Sequence, residues 1–272
     1  YFRKLIESRA HMQKEKKLMI EVEDLSKSFS RHQVLHSISF QVYEGERVAL
    51  IGPSGSGKST LINILTRSIS YGGGKIKIDG KDIEEYKGNK DYAKKVGVIR
   101  QQFDLVRELE VIHNVLAGNL HTWGFFKSLR SLLQPVNGDQ ALEALADVGI
   151  EDKAFNVTSS LSGGEQQRVA IARLIVQNPD ILIADEPIAS LDPTRANSVM
   201  ELLSELAHKK NKTIFASIHT MEHVLNFFDR VIGIRDGDVL INEKIENISS
   251  ETLDQLYEIQ EVGDEEISNA LS

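Results

Sequence analysis

"ERVALIGPSGSGKSTLINILTR", residues 46–67, decides the fold. Val48 to Ile51 is an unbroken apolar run of strand length, the pattern of a strand buried on both faces. Gly52 to Thr60 then matches G-x-x-x-x-G-K-[ST], placed after a buried strand and opening a helix as that pattern requires. In the loop Gly52-Pro53-Ser54-Gly55-Ser56-Gly57 the glycines let backbone N–H groups wrap closely around a polyphosphate. Lys58 supplies a point charge for the β and γ phosphates, and Ser59, beside Thr60, a hydroxyl for Mg²⁺. The stretch predicts binding of a nucleoside triphosphate.

Working outward, "MIEVEDL" from Met19 and "HSISFQVY" from His36 read as strands, the second reaching the buried strand through a Glu44-Gly45-Glu46 turn. "YGGGKIKIDG" (71–80) is a turn followed by alternating Ile76 and Ile78, hence an exposed antiparallel strand. "KKVGVIRQ" (94–101) returns to a buried strand. Between 103 and 160 strand signals vanish and helical spacing takes over, as in "NGDQALEALADVGI", where Asn137 can cap the start and Gly149 the end. Alternation then resumes with "EQQRVAIARLIVQ", "DILIAD", a helix started by Asp192-Pro193, "KTIFASIH", another helix, and "RVIGIRDGDVLIN" as a terminal hairpin. Strands alternating with helices predict an α/β fold with a mostly parallel sheet covered on both faces. The expected organisation is a single domain over 12–272. It comprises an antiparallel β subdomain and first part of the core (19–102), an inserted α-helical subdomain (103–160), the second part of the core (161–245) and an acidic tail (246–272). Residues 1–11 read as cloning-derived, because the chain opens on Tyr1 and His11-Met12 resembles a cloning-site scar.

The 272 residues, 41% hydrophobic and 26% charged, are ordinary globular composition. With no cysteine, disulfides and thiolate metal sites are excluded, which fits a reducing compartment. No apolar run approaches the ~20 residues of a membrane span, and no signal peptide is visible. Work at a membrane would leave the spanning to another chain. A net charge of −8 argues against a nucleic-acid partner. Much of the excess is terminal: Glu251, Asp254, Glu258, Glu261, Asp264, Glu265 and Glu266 are accompanied by no Lys or Arg, as in a solvated tail.

Two further stretches carry chemistry. "ILIADEP" (181–187) delivers Asp185 and Glu186 to the carboxyl end of a buried strand, the end that lies beside the phosphate loop in such sheets. Asp185 suits the shell of Mg²⁺, and Glu186 suits polarisation of an attacking water. Alone, two adjacent acids equally well cap the next helix; with the phosphate loop they point to hydrolysis. "TSSLSGGEQQRVAIAR" (158–173) places Ser162, Gly163 and Gly164 directly before a helix, a second surface suited to a phosphate. The same three residues are also an ordinary capped helix start.

"LSGGEQQR", with the phosphate loop and "ILIADEP", resembles the signature set of ATP-binding cassette ATPases, a likeness running from about Met19 to Tyr257. It implies a P-loop NTPase core and an ATPase coupled to transport. It also implies a head-to-tail dimer of two copies, each ATP–Mg²⁺ being sandwiched against Ser162, Gly163 and Gly164 of the other copy. By the same resemblance Gln101 would touch Mg²⁺ and the attacking water, and His219 would contact the γ-phosphate. Ser190-Leu191-Asp192 would cross the dimer interface, and Phe29 would stack on adenine. Each keeps a plain alternative: a structural histidine, a helix cap at Asp192, a strand-end aromatic at Phe29.

The finer resemblance is to the ATP-binding subunits of phosphonate importers. It is carried by "NVLAGNLHTWGFFKSLRSLL" (114–133), "ADEPIASLDP" (184–193), and "HTMEHVLNFFDRVIGIRDGDVL" (219–240) followed by "ISSETLDQLYE" (248–258). It implies a peripheral subunit on the cytoplasmic face of the cell membrane. The chain would drive a separate permease, be served indirectly by a solute-binding protein, and never touch the solute. Arg100 before Gln101, where an apolar or aromatic residue is usual, and "NEKIEN" (242–247) depart from the pattern. Trp123, Phe125, Phe126, Leu129, Leu132 and Leu133, with Lys127 and Arg130, form an amphipathic stretch suited either to border the permease groove or to pack within the helical subdomain. Two other readings stand beside the importer: a cassette ATPase transmitting force to a non-import membrane partner, and a phosphotransferase on the same loop.

Overall fold

The computed structural model describes residues 16–100, 103–124, 126–127, 130–131, 136–189 and 191–257. Gln101, Ser190, the 1–11 segment, most of the acidic tail, and Phe125, Leu129, Leu132 and Leu133 lie outside the described residues.

Two sheets organise the chain. The first is antiparallel, in the order β2-β1-β4-β5, from β1 (Leu18–Phe29), β2 (His32–Tyr43), β4 (Gly73–Ile78) and β5 (Lys81–Asp82). The second runs β10-β9-β3-β8-β7-β6, from β3 (Arg47–Ile51), β6 (Val96–Ile99), β7 (Ile181–Asp185), β8 (Thr213–Ser217), β9 (Arg230–Arg235) and β10 (Asp238–Lys244). Strands β9, β3, β8, β7 and β6 are parallel, and only β10 turns back, against β9. The Glu44–Glu46 turn therefore carries the chain from one sheet to the other.

Local chemistry sets these elements. Val48 to Ile51 are fully buried because β3 lies between β8 and β9 with both faces covered. Along β4, by contrast, Ile76 and Ile78 are fully buried while Lys75 is exposed. The expectation of an exposed strand is thus corrected to a strand inside its sheet with one solvent face, held by pairing to both β1 and β5. Asp236 and Gly237, both at positive φ (50° and 82°), turn β9 into β10, the backbone that favours two-residue hairpins.

Helix α1 (Lys58–Leu65) buries Leu61, Ile62, Ile64 and Leu65 against the core under the antiparallel sheet, where Phe40 and Phe215 stack at 5.6 Å. A second core lies among α5 (Gly163–Gln177), α6 (Pro193–Lys210), the other face of the parallel sheet, and the helices between β6 and α5. Among the described residues of 103–160 these are α3 (Val111–Leu116), α4 (Gly138–Asp147) and short 3-10 turns; α2 (Asn89–Ala93) precedes β6. One β-bridge, Glu110 to Val157, interrupts the helical character expected there. Asn137 does stand before α4, but at φ 65° its side chain makes no cap hydrogen bond, which corrects its expected role; Gly149, at φ 71°, closes the segment. Trp123 belongs to the second core, whereas Phe126 of the same amphipathic stretch is 85% exposed. The chain continues through α7 (Met221–Phe227) to α8 (Ser250–Tyr257), whose Leu256 packs on Gly233 of β9. Among the described residues no helix is long and apolar enough to cross a membrane.

Candidate functional site

Parallel strands end together, so whatever follows them is gathered along one edge of the sheet. Here that edge receives the Gly52–Gly57 loop from β3, Asp185 and Glu186 from β7, and Ser217 to His219 from β8. They enclose a cleft of about 160 Å³ lined by Ser54, Gly55, Lys58, Ser59, Glu186 and His219, with Val34, Gly57 and Thr60.

The loop's shape depends on glycine at two positions. Gly52 has φ 145°, and a Cβ there would lie 2.0 Å from the Ile234 carbonyl oxygen. Gly57 has φ 107°, with a Cβ 2.7 Å from the Leu35 side chain and 3.1 Å from the Val34 carbonyl oxygen. Neither conformation nor space suits an L side chain. The Lys58 ammonium folds back onto the loop, donating to the carbonyls of Gly52 (2.7 Å) and Pro53 (2.8 Å). Burial pushes its pKa below the ordinary lysine value, while the carboxylates of Glu186 and Asp185 oppose that shift. Ser56 Oγ is buried without a partner. Pro53, within the loop, is partly buried.

Ser217 knits the two acids together. Its register partner across the β7–β8 ladder is Asp185, and its hydroxyl donates to Asp185 Oδ1 at 2.8 Å. The Ser217 hydroxyl oxygen in turn accepts the Glu186 N–H at 2.8 Å. Glu186 sits in the left-handed region (φ 48°), uncommon for a non-glycine residue and frequent where function holds strain. That bend turns its carboxylate to His219, whose Nε2 lies 2.5 Å from Glu186 Oε1. The fully buried Gln167 of α5 donates through Nε2 to the Pro187 carbonyl, fixing the chain just beyond Glu186.

These donors suit a hard divalent ion with a polyphosphate. Ser59 and Asp185 offer oxygen only, the chemistry Mg²⁺ prefers. Among the described residues no group of three or more His, Asp or Glu forms an all-protein cage, so phosphate oxygens would complete the shell. The orphaned Ser56 hydroxyl fits such an anion.

The other expected residues stand elsewhere. Ser162, Gly163 and Gly164 open α5 and are not among the cleft's lining residues. Ser162 caps α5 by accepting the Glu165 N–H (3.4 Å), while its own N–H and hydroxyl both reach Glu165 Oε2 at 2.8 Å. Those bonds hold the Glu165 carboxyl below the usual carboxylate range. Asp192 caps α6 through the Arg195 N–H (3.1 Å) ahead of Pro193. Phe29, at the end of β1, is 48% exposed, with the Lys27 ammonium 4.9 Å from its ring centroid.

Three participants were not singled out from the sequence. Ser217 had a signal, being a polar residue ending an apolar strand two places before His219. Val34 had none, since the fold alone brings β2 against Gly57. Tyr257 ends α8 with its hydroxyl against the Gly52 backbone; burial raises its pKa and that backbone opposes the rise.

Comparison with known proteins adds the relatives. Residues 35–189 match the model of the family described as ABC transporter. The chain is 43% identical over 244 residues to "Phosphonates import ATP-binding protein PhnC 1" of Nostoc sp., covering 88% of this chain and 91% of that one. It is 39% identical over 246 residues to the corresponding PhnC of Escherichia coli K12, covering 88% and 94%. Among solved structures, a dimeric post-hydrolysis state of an ATP-binding cassette bound to ADP and Pi superposes with TM-score 0.72 at 30% identity, covering 85% of this chain and all of that one. The ADP conformation of another ABC transporter cassette gives 0.74 at 26% identity, covering 88% and 94%. With the phosphate loop, the Asp185–Glu186 pair and the signature helix in this arrangement, the chain belongs to the ABC transporter family as an ATPase coupled to transport.

Proposed function

We propose that the chain is the peripheral motor of an importer for a phosphonate or related phosphorus oxyanion. It works as a head-to-tail dimer on the cytoplasmic face of the membrane and drives a separate permease fed by a solute-binding protein. One observation carries the reading: the molecule has two phosphate-suited surfaces, and Ser162, Gly163 and Gly164 do not line the cleft formed by the other. Such a surface serves a second copy's nucleotide. The solute class follows the names of the relatives, which are phosphonate-import proteins.

In this reading the loop Gly52 to Thr60 cradles ATP, Lys58 turns from the Gly52 and Pro53 carbonyls to the β and γ phosphates, and Phe29 stacks on adenine. Ser59 and Asp185, with Gln101, would hold Mg²⁺, which when bound neutralises charge on the phosphates. Glu186, anchored by Ser217, takes a proton from the attacking water, and His219 orients Glu186 and the γ-phosphate. Asp192 contributes to the dimer interface. Residues 103–160 form the subdomain that faces the permease, beside Arg100, which spans the loops through Asp104 (2.6 Å) and Ser68 (2.8 Å).

Isolation of the native complex from solubilised membranes through a tag on this chain tests the importer. A polytopic permease with a phosphonate-loaded solute-binding protein is the expected result; a single-pass partner without one refutes it. Glu186→Gln tests the chemistry. It should lower phosphate release by about 10²–10⁴-fold with ATP binding retained, and retained turnover removes Glu186 as the base.

A further inference from the structure

Helix α5 runs from one phosphate-suited surface to the other. Ser162 and Gly163 at its start are exposed. Gln167, about 7.5 Å beyond Ser162 along the helix axis, is fully buried. At that depth its Nε2 donates to the carbonyl of Pro187, the residue after Glu186. Further along, Arg173 donates to the carbonyls of Phe103 (2.7 Å) and Asp104 (2.8 Å), in the loop that leaves β6. One helix thus grips the chain leaving two neighbouring strands, β6 and β7, at the edge where the cleft lies.

Both grips fall on or beside strained backbone. Phe103 and Asp104 have φ 57° and 47°, and Glu186 has φ 48°. Such a conformation persists in a non-glycine residue only where the surroundings impose it. Ser217 holds Glu186 from its N–H side. Gln167 holds it from the other side, through Pro187, whose ring leaves little freedom in φ. The Gln167 amide keeps its donor at a cost, since its Oε1 is buried with no partner. Gln167 is not among the residues lining the cleft, so Glu186 is its route to the nucleotide.

We propose that α5 couples the two surfaces, with Gln167 as a positioning residue for hydrolysis. The helix is packed into the second core through Val169, Ile171 and Leu174, and its two ends are parts of one rigid element. Whatever seats its N-terminus against a second copy's nucleotide therefore also sets the backbone beside this chain's own Glu186. Shifts of packed helices are about 1–2 Å, and about 1 Å at a reacting centre is worth about 10²-fold in rate. Occupation of one composite site in this way tunes hydrolysis at the other. The proposal rests on the reading of Ser162, Gly163 and Gly164 as the surface for the second copy's nucleotide.

The test is a double-mutant cycle of Gln167→Met and Ser162→Ala in the full chain, read by ATP turnover, ATP affinity and thermal unfolding. Met keeps the length of the side chain and removes both polar atoms. Its kcat should fall about tenfold or more with ATP affinity unchanged. The melting temperature should stay close to the parent's, because the substitution orphans the Pro187 carbonyl but removes the orphan Oε1. Should the Met variant lose cooperative unfolding, Gln167→Leu takes its place with the same expectation. Ser162→Ala should lower kcat as well. With the link through Gln167 already cut, the combined loss should fall short of the product of the single losses by about threefold or more. Parental kcat in the Gln167 variant overturns the proposal, as does a kcat loss matched by lost affinity or a lower melting temperature. So does a combined loss equal to the product, for the two residues would then act independently. Equal loss of affinity and turnover in Ser162→Phe would fail the composite-site reading separately, whatever Gln167→Met does to kcat.

Discussion

Ser217→Ala removes one oxygen atom from a fully buried position and leaves every motif residue in place. The hydroxyl makes two bonds of 2.8 Å, one to the Asp185 carboxylate and one from the Glu186 amide. A hydrogen bond to a charged group contributes about 1.5–3 kcal/mol, and a buried N–H left unpaired costs about 1–3 kcal/mol. Glu186 is only partly buried, so its term falls at the lower end, near 1 kcal/mol, and the sum is about 2.5–4 kcal/mol. The kinetic effect has a different origin. A non-glycine residue in the left-handed region is unfavourable by about 1–2 kcal/mol, and the Ser217 bond is what holds Glu186 there. Released, the backbone relaxes and the carboxylate leaves His219; a displacement near 1 Å costs about 10²-fold in rate. Urea unfolding followed by the fluorescence of Trp123, the single and buried tryptophan, measures the first effect. Phosphate release at saturating ATP measures the second. Ser217→Thr separates them, because it keeps the hydroxyl but overfills the site by a methyl group, with a penalty of about 1–3 kcal/mol; it should lose stability yet recover most of kcat. A Ser217→Ala protein within about 0.5 kcal/mol of the parent and equal in kcat would refute the assignment of Ser217 as the tether.

Gly57→Ala should abolish nucleotide binding and destabilise by about 1–3 kcal/mol, because φ is 107° and the new Cβ meets Leu35 at 2.7 Å; equilibrium dialysis with labelled ATP and a urea titration check both. Ser162→Phe should leave the single chain's ATP affinity intact while stopping turnover and ATP-dependent dimerisation, and an equal loss of affinity would contradict the composite site. The Asp79 carboxyl is pushed up by burial but held below its ordinary value overall by Lys17 and Lys95. Its folded pKa being depressed, its stabilisation is complete above about pH 3.9 and disappears as pH falls through the folded value. The stability gap between parent and Asp79→Asn, read by urea unfolding, should therefore be constant from about pH 5 to 8 and shrink below about pH 4; a gap that widens on acidification would reverse the sign.

The parallel core was legible because its chemistry is local. Val48 to Ile51 and Ile181 to Ala184 are continuous apolar runs, and a strand that polar residues nowhere interrupt is buried on both faces. Each run is followed at once by the residues that need its carboxyl end, so finding the strand located the site. The helix start at Ser162 was legible for the same reason, since a cap stands directly before the turn it closes; that Glu165 completes a capping box is what the structure adds. Asn137 failed because cap residues are read from side-chain type, whereas a φ of 65° turned its side chain away from the role. The β4 strand was misread because alternation marks one buried face but says nothing of the neighbours on either edge; β1 and β5 decide that β4 is interior.

What the sequence left unreadable is the set of contacts between segments far apart in it. Ser217 meets Asp185 across 32 positions, and Val34 lies under Gly57 only because the chain crosses from one sheet to the other after Tyr43. The motifs supply the atoms that face a nucleotide; the residues that hold those atoms still come from register and packing.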